Sequence, residues 1–228
     1  MATVSRLILT RLSMWLGVIT GYIDKKAILM AHITYFFATI SPFTYLAGTR
    51  MEVVAQKHAA TVEYRPMDLM TVFGRTGGVP PKDRHISRIE MRSQELRREA
   101  NKLHMPMNFK PAFFPVNMAP SSYAFISAGR YGDGDLGGLA HGFTRAVWEE
   151  EKDISQPDVI ADCLKAAGFD PNLADKDMIG SAEQYAKNTE DAIAAGVFGS
   201  PFYITDTDQR LWGQDRIENL DLVLSDAL

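Results

Sequence analysis

Apolar residues fall into two periods along this chain. In "HITYFFA" (32–38) aromatic and β-branched residues run almost unbroken, the mark of a buried strand. Phe43, Leu46, Ala47, Met51, Val54 and Ala55 then recur at helical spacing and predict a helix over 43–58 with one apolar face. "VEYRPMDL" (62–69) returns to strand character, and Pro66 within it argues for an edge position or a bulge. Right-handed crossover would make these two strands parallel.

From about residue 71 to 195 the period is helical. Ile86, Ile89, Leu96 and Leu103 mark a charged helix from Arg84 to His104, which the four prolines of "MPMNFKPAFFPVNMAP" and its flanks then break. Four or five further helices follow with short breaks. Strand character returns only at "PFYITD" (201–206), with "RLW" (210–212) placed to pair across Thr207-Asp208-Gln209, and an amphipathic helix from Gln214 to Ala227 closes the chain. This order is that of an α/β protein, a thioredoxin-like fold with a large all-helical insertion. Residues 31–70 and 196–228 would form the thioredoxin-like part and 71–195 the insertion.

Composition narrows the functional classes. With 228 residues and 46% hydrophobic content the chain can bury a real core. A net charge of −4 with interspersed signs offers no nucleic-acid footprint. The single cysteine, Cys163, excludes an internal disulfide and any Cys-x-x-Cys motif, and a reducing, cytoplasmic setting fits best. Its place in "DVIADCLKAAG" reads as a small core residue rather than a nucleophile. In the first 30 residues the uninterrupted apolar piece, Leu12 to Ile23, is too short for a membrane span. A signal peptide, a targeting arm and a natural start at Met30 are all open for that segment, and a disordered or artefactual extension is the favoured expectation.

Local chemistry singles out the turn after the first strand. Ser41 can cap a helix with Pro42 at its first position, or it can present a hydroxyl where a helix start favours anions. "GRYGDGDLGG" (129–138) lacks the Gly-Lys-Ser/Thr of a phosphate loop and the acidic ladder of a calcium loop, and reads as a turn before a helix. His32, His58, His85, His104 and His141 show no catalytic spacing, and no cluster has metal spacing.

"FFATISPFTYLAG" and "GVFGSPFYITDTDQRLWGQDRIENL", with "PPKDR" and "REANKLHMPMNF" between them, resemble the 2-hydroxychromene-2-carboxylate isomerases and the related kappa-class glutathione transferases, over about 31–228. The resemblance implies a thioredoxin-like fold that binds glutathione. In the related disulfide oxidoreductases Ser41 and Thr44 occupy the two cysteine positions of Cys-x-x-Cys, and two hydroxyls cannot cycle between dithiol and disulfide. Ser41 would instead hold the glutathione thiolate by a hydrogen bond and lower its pKa. At Ser200-Pro201 the resemblance implies a cis peptide that leaves the Ser200 backbone to pair with the cysteinyl part, although Pro201 alone reads as a strand-initiating proline and many relatives have valine in place of Ser200. Trp212, Gln214 and Asp215 would meet the γ-glutamyl moiety, with Asp215 taking its ammonium and nearby N–H groups its carboxylate; the bland reading is a helix cap. Lys82 would meet a glycyl or substrate carboxylate, or be a solvated loop lysine. Asp68 and Tyr45 are weaker candidates, each explicable by fold alone.

The activity implied is glutathione-dependent isomerisation of 2-hydroxychromene-2-carboxylate or a similar aromatic-degradation intermediate, by reversible thiolate addition and bond rotation. A kappa-like transferase that keeps the conjugate and a non-catalytic thioredoxin-fold binding protein are the rivals. The expected partner is a small aromatic molecule, with neither nucleic acid nor membrane, and a homodimer is left open.

Overall fold

The computed structural model describes residues 31–227, so the expectation for residues 1–30 lies outside the described residues. The "HITYFF" run forms β1 (His32–Phe37), the central strand of a sheet that also holds β2 (Thr61–Pro66), β3 (Phe202–Thr205) and β4 (Arg210–Trp212) in the order β2-β1-β3-β4. The β1–β2 pair is parallel, in register from His32 opposite Thr61 to Phe37 opposite Pro66, and β3 and β4 add antiparallel. Pro66 lies on an edge strand, where its missing N–H costs no ladder bond.

Between β1 and β2 the predicted helix over 43–58 is two helices, α1 (Pro42–Ala47) and α2 (Arg50–Lys57). Gly48 breaks them, with φ +58 and its N–H donated back to Tyr45 O at 2.9 Å. The apolar period continues across the break, which is why the sequence pattern conceals it. The second strand ends at Pro66 rather than at residue 69, because Asp68 caps a short helix, α3 (Leu69–Arg75), accepting the N–H groups of Met70 and Thr71 on Oδ1. A 3-10 turn (Pro81–Asp83) leads into α4 (Ile86–Leu103), which leaves Arg84 just ahead of the helix it was expected to start.

The remaining helices are α5 (Ala119–Tyr131), α6 (Leu136–Trp148), α7 (Pro157–Ala166) and α8 (Met178–Ala194). "GRYGDGDLGG" is the turn joining α5 to α6, with Asp135 as the cap. Helix α5 packs on one sheet face, where Phe125 meets Phe37 at 5.0 Å between ring centroids and Tyr35, Tyr64 and Tyr203 extend the aromatic layer. Trp148, fully buried at the end of α6, donates its indole N–H to Ile40 O at 3.1 Å and ties the helical block to the turn that carries Ser41. The last helix starts as a 3-10 turn (Gln214–Arg216) before α9 (Ile217–Leu224), so it is shorter and later than the expected Gln214–Ala227. Among the described residues no helix is long and apolar enough to cross a membrane.

One carboxyl is built into this layer. Glu52 accepts the Tyr64 hydroxyl at 3.0 Å on Oε1, while Oε2 is buried with no partner among the described residues. Burial holds its pKa above the ordinary carboxylate value. A raised folded-state pKa means the folded chain binds the proton more tightly than the unfolded one. The stability it contributes is full below the unfolded pKa and is lost as pH rises through the folded one. Glu52→Gln is therefore expected to leave stability near pH 4 unchanged and to raise Tm at pH 8 by about 2–4 °C, the shift that ~1 kcal/mol produces in a chain of this length. Thermal melts of both proteins across that pH range check it, and an equal gain at both pH values would contradict it.

Candidate active site

Ser41 terminates the turn after β1 and caps α1, as its position before Pro42 predicts. Its Oγ accepts the Thr44 N–H at 3.2 Å and donates to Ser200 O at 3.2 Å. Thr44 Oγ1 meets Ser200 Oγ at 2.8 Å, and Ser200 Oγ accepts the Ala38 N–H at 2.9 Å. The two hydroxyls from the strand–helix turn and the one ahead of β3 thus form a closed network, with Ser41 3%, Thr44 2% and Ser200 6% exposed. No titratable side chain bonds to Ser41, so nothing in contact with it could accept its proton and make an alkoxide. What Ser41 can offer is its hydroxyl proton, by rotation away from the Ser200 carbonyl. Helix α1 is only six residues long and turns at Gly48, so this donor rather than a helix field carries the electrostatics of the turn.

The Ser200–Pro201 peptide is cis, and the Ser200 N–H has no partner among the described residues. Pro201 O accepts the Gly213 N–H at 3.0 Å, which brings the "GSP" and "WGQD" segments side by side. Gly213 sits at φ +117, where a side chain would be strained, and this sharp turn points the start of the final helix back at the site. Gln214 is 3% exposed with its amide donated to Glu99 Oε2 at 3.1 Å, so its side chain braces α4. Arg50 fastens the same turn to α1, donating to Leu46 O at 3.0 Å and Gln214 O at 3.1 Å. Asp215 stays half-exposed, 3.6 Å from Arg216, and the backbone N–H groups of Gln214 and Asp215 have no partner among the described residues.

Two adjoining cavities open here. One, of about 360 Å³, is mostly apolar: Ser41 lies in its wall with Ile40, Leu69, Phe73, Val79 and Phe114. The other, of about 500 Å³, is also apolar over much of its wall but carries more charge at its edge, where Glu95, Gly213, Gln214, Asp215 and Arg216 bound it. Phe43, Arg84, Arg88, Arg92, Ser200 and Trp212 belong to both, so they form the wall where the two meet. Both volumes lie in the range of small-molecule sites. Trp212 is 51% exposed and packs edge-on against Phe198 with centroids 4.9 Å apart, which makes it a cavity wall rather than core.

The structure brings together Ser41, Ser200, Pro201, Trp212, Gln214 and Asp215. Lys82 is exposed on its 3-10 turn and lines neither cavity. Asp68 is a helix cap, and Tyr45 is buried away from the cavities with its hydroxyl on Glu149 Oε2 at 3.0 Å. The arginines are what the sequence pattern missed. Arg84 lies over the Phe73 ring at 5.5 Å and Arg92 over the Phe43 ring at 5.8 Å. Burial, with the charge of Arg84 second, lowers Arg92 to a pKa of about 10; burial, then the charge of Arg88, lowers Arg84. Their spacing of four residues after a Gly/Pro loop was the available signal. Cys163 is remote and partly buried, packed against the edge of the core, and burial pushes its thiol up to about 11. Among the described residues no group of side chains could hold a metal ion.

A family model described as a DSBA-like thioredoxin domain matches residues 32–225. The chain is 27% identical to a 2-hydroxychromene-2-carboxylate isomerase of Sphingobium xenophagum over 197 residues, 85% of this chain and 98% of that protein. It is 29% identical to one of Pseudomonas sp. (strain C18), over 87% of this chain and 92% of that one. A solved 2-hydroxychromene-2-carboxylate isomerase superposes with a TM-score of 0.64 at 25% identity, covering 86% of this chain and 95% of that structure.

Proposed function

The chain belongs to the DSBA-like thioredoxin domain family, and from that premise we propose that it is a glutathione-dependent isomerase acting on 2-hydroxychromene-2-carboxylate or a similar aromatic-degradation intermediate. The named activity of its curated relatives supports the isomerase reading. The observation that carries the rest is Ser41. A hydroxyl, not a thiol, stands in the wall of the first cavity, close to the residues it shares with the more charged second one, so the site lacks a sulfur and has room to accept one.

The donor set fits glutathione. Asp215 supplies an anion for the γ-glutamyl ammonium, and the unpartnered N–H groups of Gln214 and Asp215 suit its carboxylate. The Ser200 N–H, also unpartnered, suits the cysteinyl carbonyl beside Pro201. Trp212 walls the space between them. Arg84 supplies the cation for the glycyl carboxylate, and Lys82, outside both cavities, has no part in it. When bound, glutathione supplies a thiolate able to add reversibly to a conjugated carbon and so free a double bond to rotate. Ser41 donates its hydroxyl proton to that sulfur while keeping the Thr44 N–H on its oxygen. Phe73, Phe114 and Leu69 exclude water from the apolar cavity, where the flat second molecule would lie.

Calorimetry of the full chain with glutathione is expected to show one site per chain. Turnover of the chromene carboxylate is expected to require glutathione without depleting it. Unmeasurable binding would remove the glutathione reading, and loss of one glutathione per turnover would mark a kappa-like transferase instead.

A further inference from the structure

Arg84, Arg88 and Arg92 have more positive charge than the rest of their wall can answer. Most other arginines of the described chain have a carboxylate within reach: Arg65 on Asp191, Arg75 on Glu190, Arg130 on Asp177, Arg145 on Glu150, Arg210 on Asp208. None of these three forms an ion pair among the described residues. Of the acids in the same wall, Glu95 is engaged by Arg98, and Asp215 stands half-exposed beside Arg216 and is the anion assigned above to the ammonium. Arg84 donates Nε to Val79 O at 2.6 Å, which fixes its plane and leaves its outer N–H groups free. Arg84 and Arg92 are half-buried against rings of the cavity wall rather than extended into solvent. Desolvating mutually repelling cations costs stability, and an anionic ligand is what recovers it.

The charge count goes beyond one tripeptide. Glutathione presents a single carboxylate outside the γ-glutamyl pocket, so one cation suffices for it and two remain. Those two face the apolar cavity, which a polar tripeptide would not fill. Arg88 and Arg92 are four residues apart on α4, so their side chains leave one helix face about 6 Å apart along the axis, close enough to share one carboxylate.

We propose that Arg88 and Arg92 are the specificity-determining residues of the apolar cavity: together they hold the carboxylate of a flat arene-type ligand and make the site refuse its neutral isosteres. This rests on the proposed function only in setting Arg84 aside for glutathione, and the hold of Arg88 and Arg92 on a carboxylate is tested without glutathione. Calorimetry of the full chain with 2-naphthoate and 2-naphthamide compares an anion with an uncharged molecule of the same shape. Naphthoate is expected to bind about tenfold more tightly, as charge-assisted hydrogen bonds to a guanidinium pair with one half-buried member require. In Arg88→Gln/Arg92→Gln the preference is expected to vanish while naphthamide binding stays within about twofold. Should the double variant not fold, Arg88→Gln alone removes an exposed side chain and is expected to weaken naphthoate binding severalfold, again with naphthamide unchanged. Equal affinity of the two probes for the intact protein, no binding of naphthoate, or a preference that survives the substitutions overturns the proposal. Loss of glutathione binding with naphthoate selectivity intact would remove the cofactor reading and leave this one standing.

Discussion

Ser41→Ala is expected to lower kcat by about 10²–10³-fold while changing glutathione affinity by less than tenfold. The size is that of removing one preorganised donor from a developing or resting anion in a dry site. Most of the affinity survives because the other contacts proposed for the tripeptide are backbone N–H groups, Asp215 and Arg84, and only its sulfur meets Ser41. The substitution also removes the cap of α1, where Oγ accepts the Thr44 N–H at 3.2 Å, so about 1 kcal/mol of stability should go with it. The decisive readout is therefore not activity alone. A thiolate absorbance titration of the bound glutathione should show its pKa rising toward the free value in the variant. The rate–pH profile should move up with it, so that the variant recovers part of its deficit in alkaline buffer. If the bound thiol titrates identically in both proteins, Ser41 is only a helix cap. If activity is lost at every pH with the thiol pKa unchanged, the serine acts in some way other than donating to sulfur.

Part of this site is legible in the sequence, and what is not has a physical cause. The strand "HITYFFA" and its parallel partner are legible because strand runs are local properties, whereas "GSP" and "WGQD" are read as parts of a site only through the family resemblance, their local patterns giving no more than a strand-initiating proline and a helix cap. The break at Gly48 was hidden because α1 and α2 keep one apolar period across it, and only the backbone at φ +58 shows that the chain has turned. That break matters functionally, since it shortens the helix behind Ser41 to six residues. Asp68 illustrates the converse, a polar residue at a strand end whose carboxylate is consumed by the N–H groups of its own helix. The arginines were out of reach for a different reason. In "DRHISRIEMRSQELRR" Arg88, Arg92, Arg97 and Arg98 each have a glutamate within a turn and Arg84 has Asp83 beside it, and a pattern cannot say which pairs form. The structure sends Glu95 to Arg98 and leaves Arg84, Arg88 and Arg92 facing the cavities.

Gly199→Ala, a single added methyl group on the residue before Ser200, is expected to lower kcat/KM by about 100-fold. A Cβ at Gly199 would stand 2.8 Å from Trp212 Cε2 and 3.0 Å from Cδ1, inside any allowed contact. The atoms met belong to a rigid ring, and Phe198 packs edge-on against it, so the indole cannot simply flex aside. Trp212 walls both cavities, and Gly213, the next residue, holds the turn to Pro201 O. A displaced indole would therefore shift the start of the final helix, with Asp215, relative to Ser41. Misplacement of binding groups by about 1 Å costs roughly that factor in a site that works by positioning. The explanation is separable from general damage by a double-mutant cycle. Trp212→Ala alone should be milder, because it opens the wall without pushing the turn. On that background Gly199→Ala should do little further harm, since the ring it collides with is gone, and the two losses should be strongly non-additive. A full 100-fold loss from Gly199→Ala in the absence of the indole would show that the glycine serves the backbone beside Pro201 and not the ring above it.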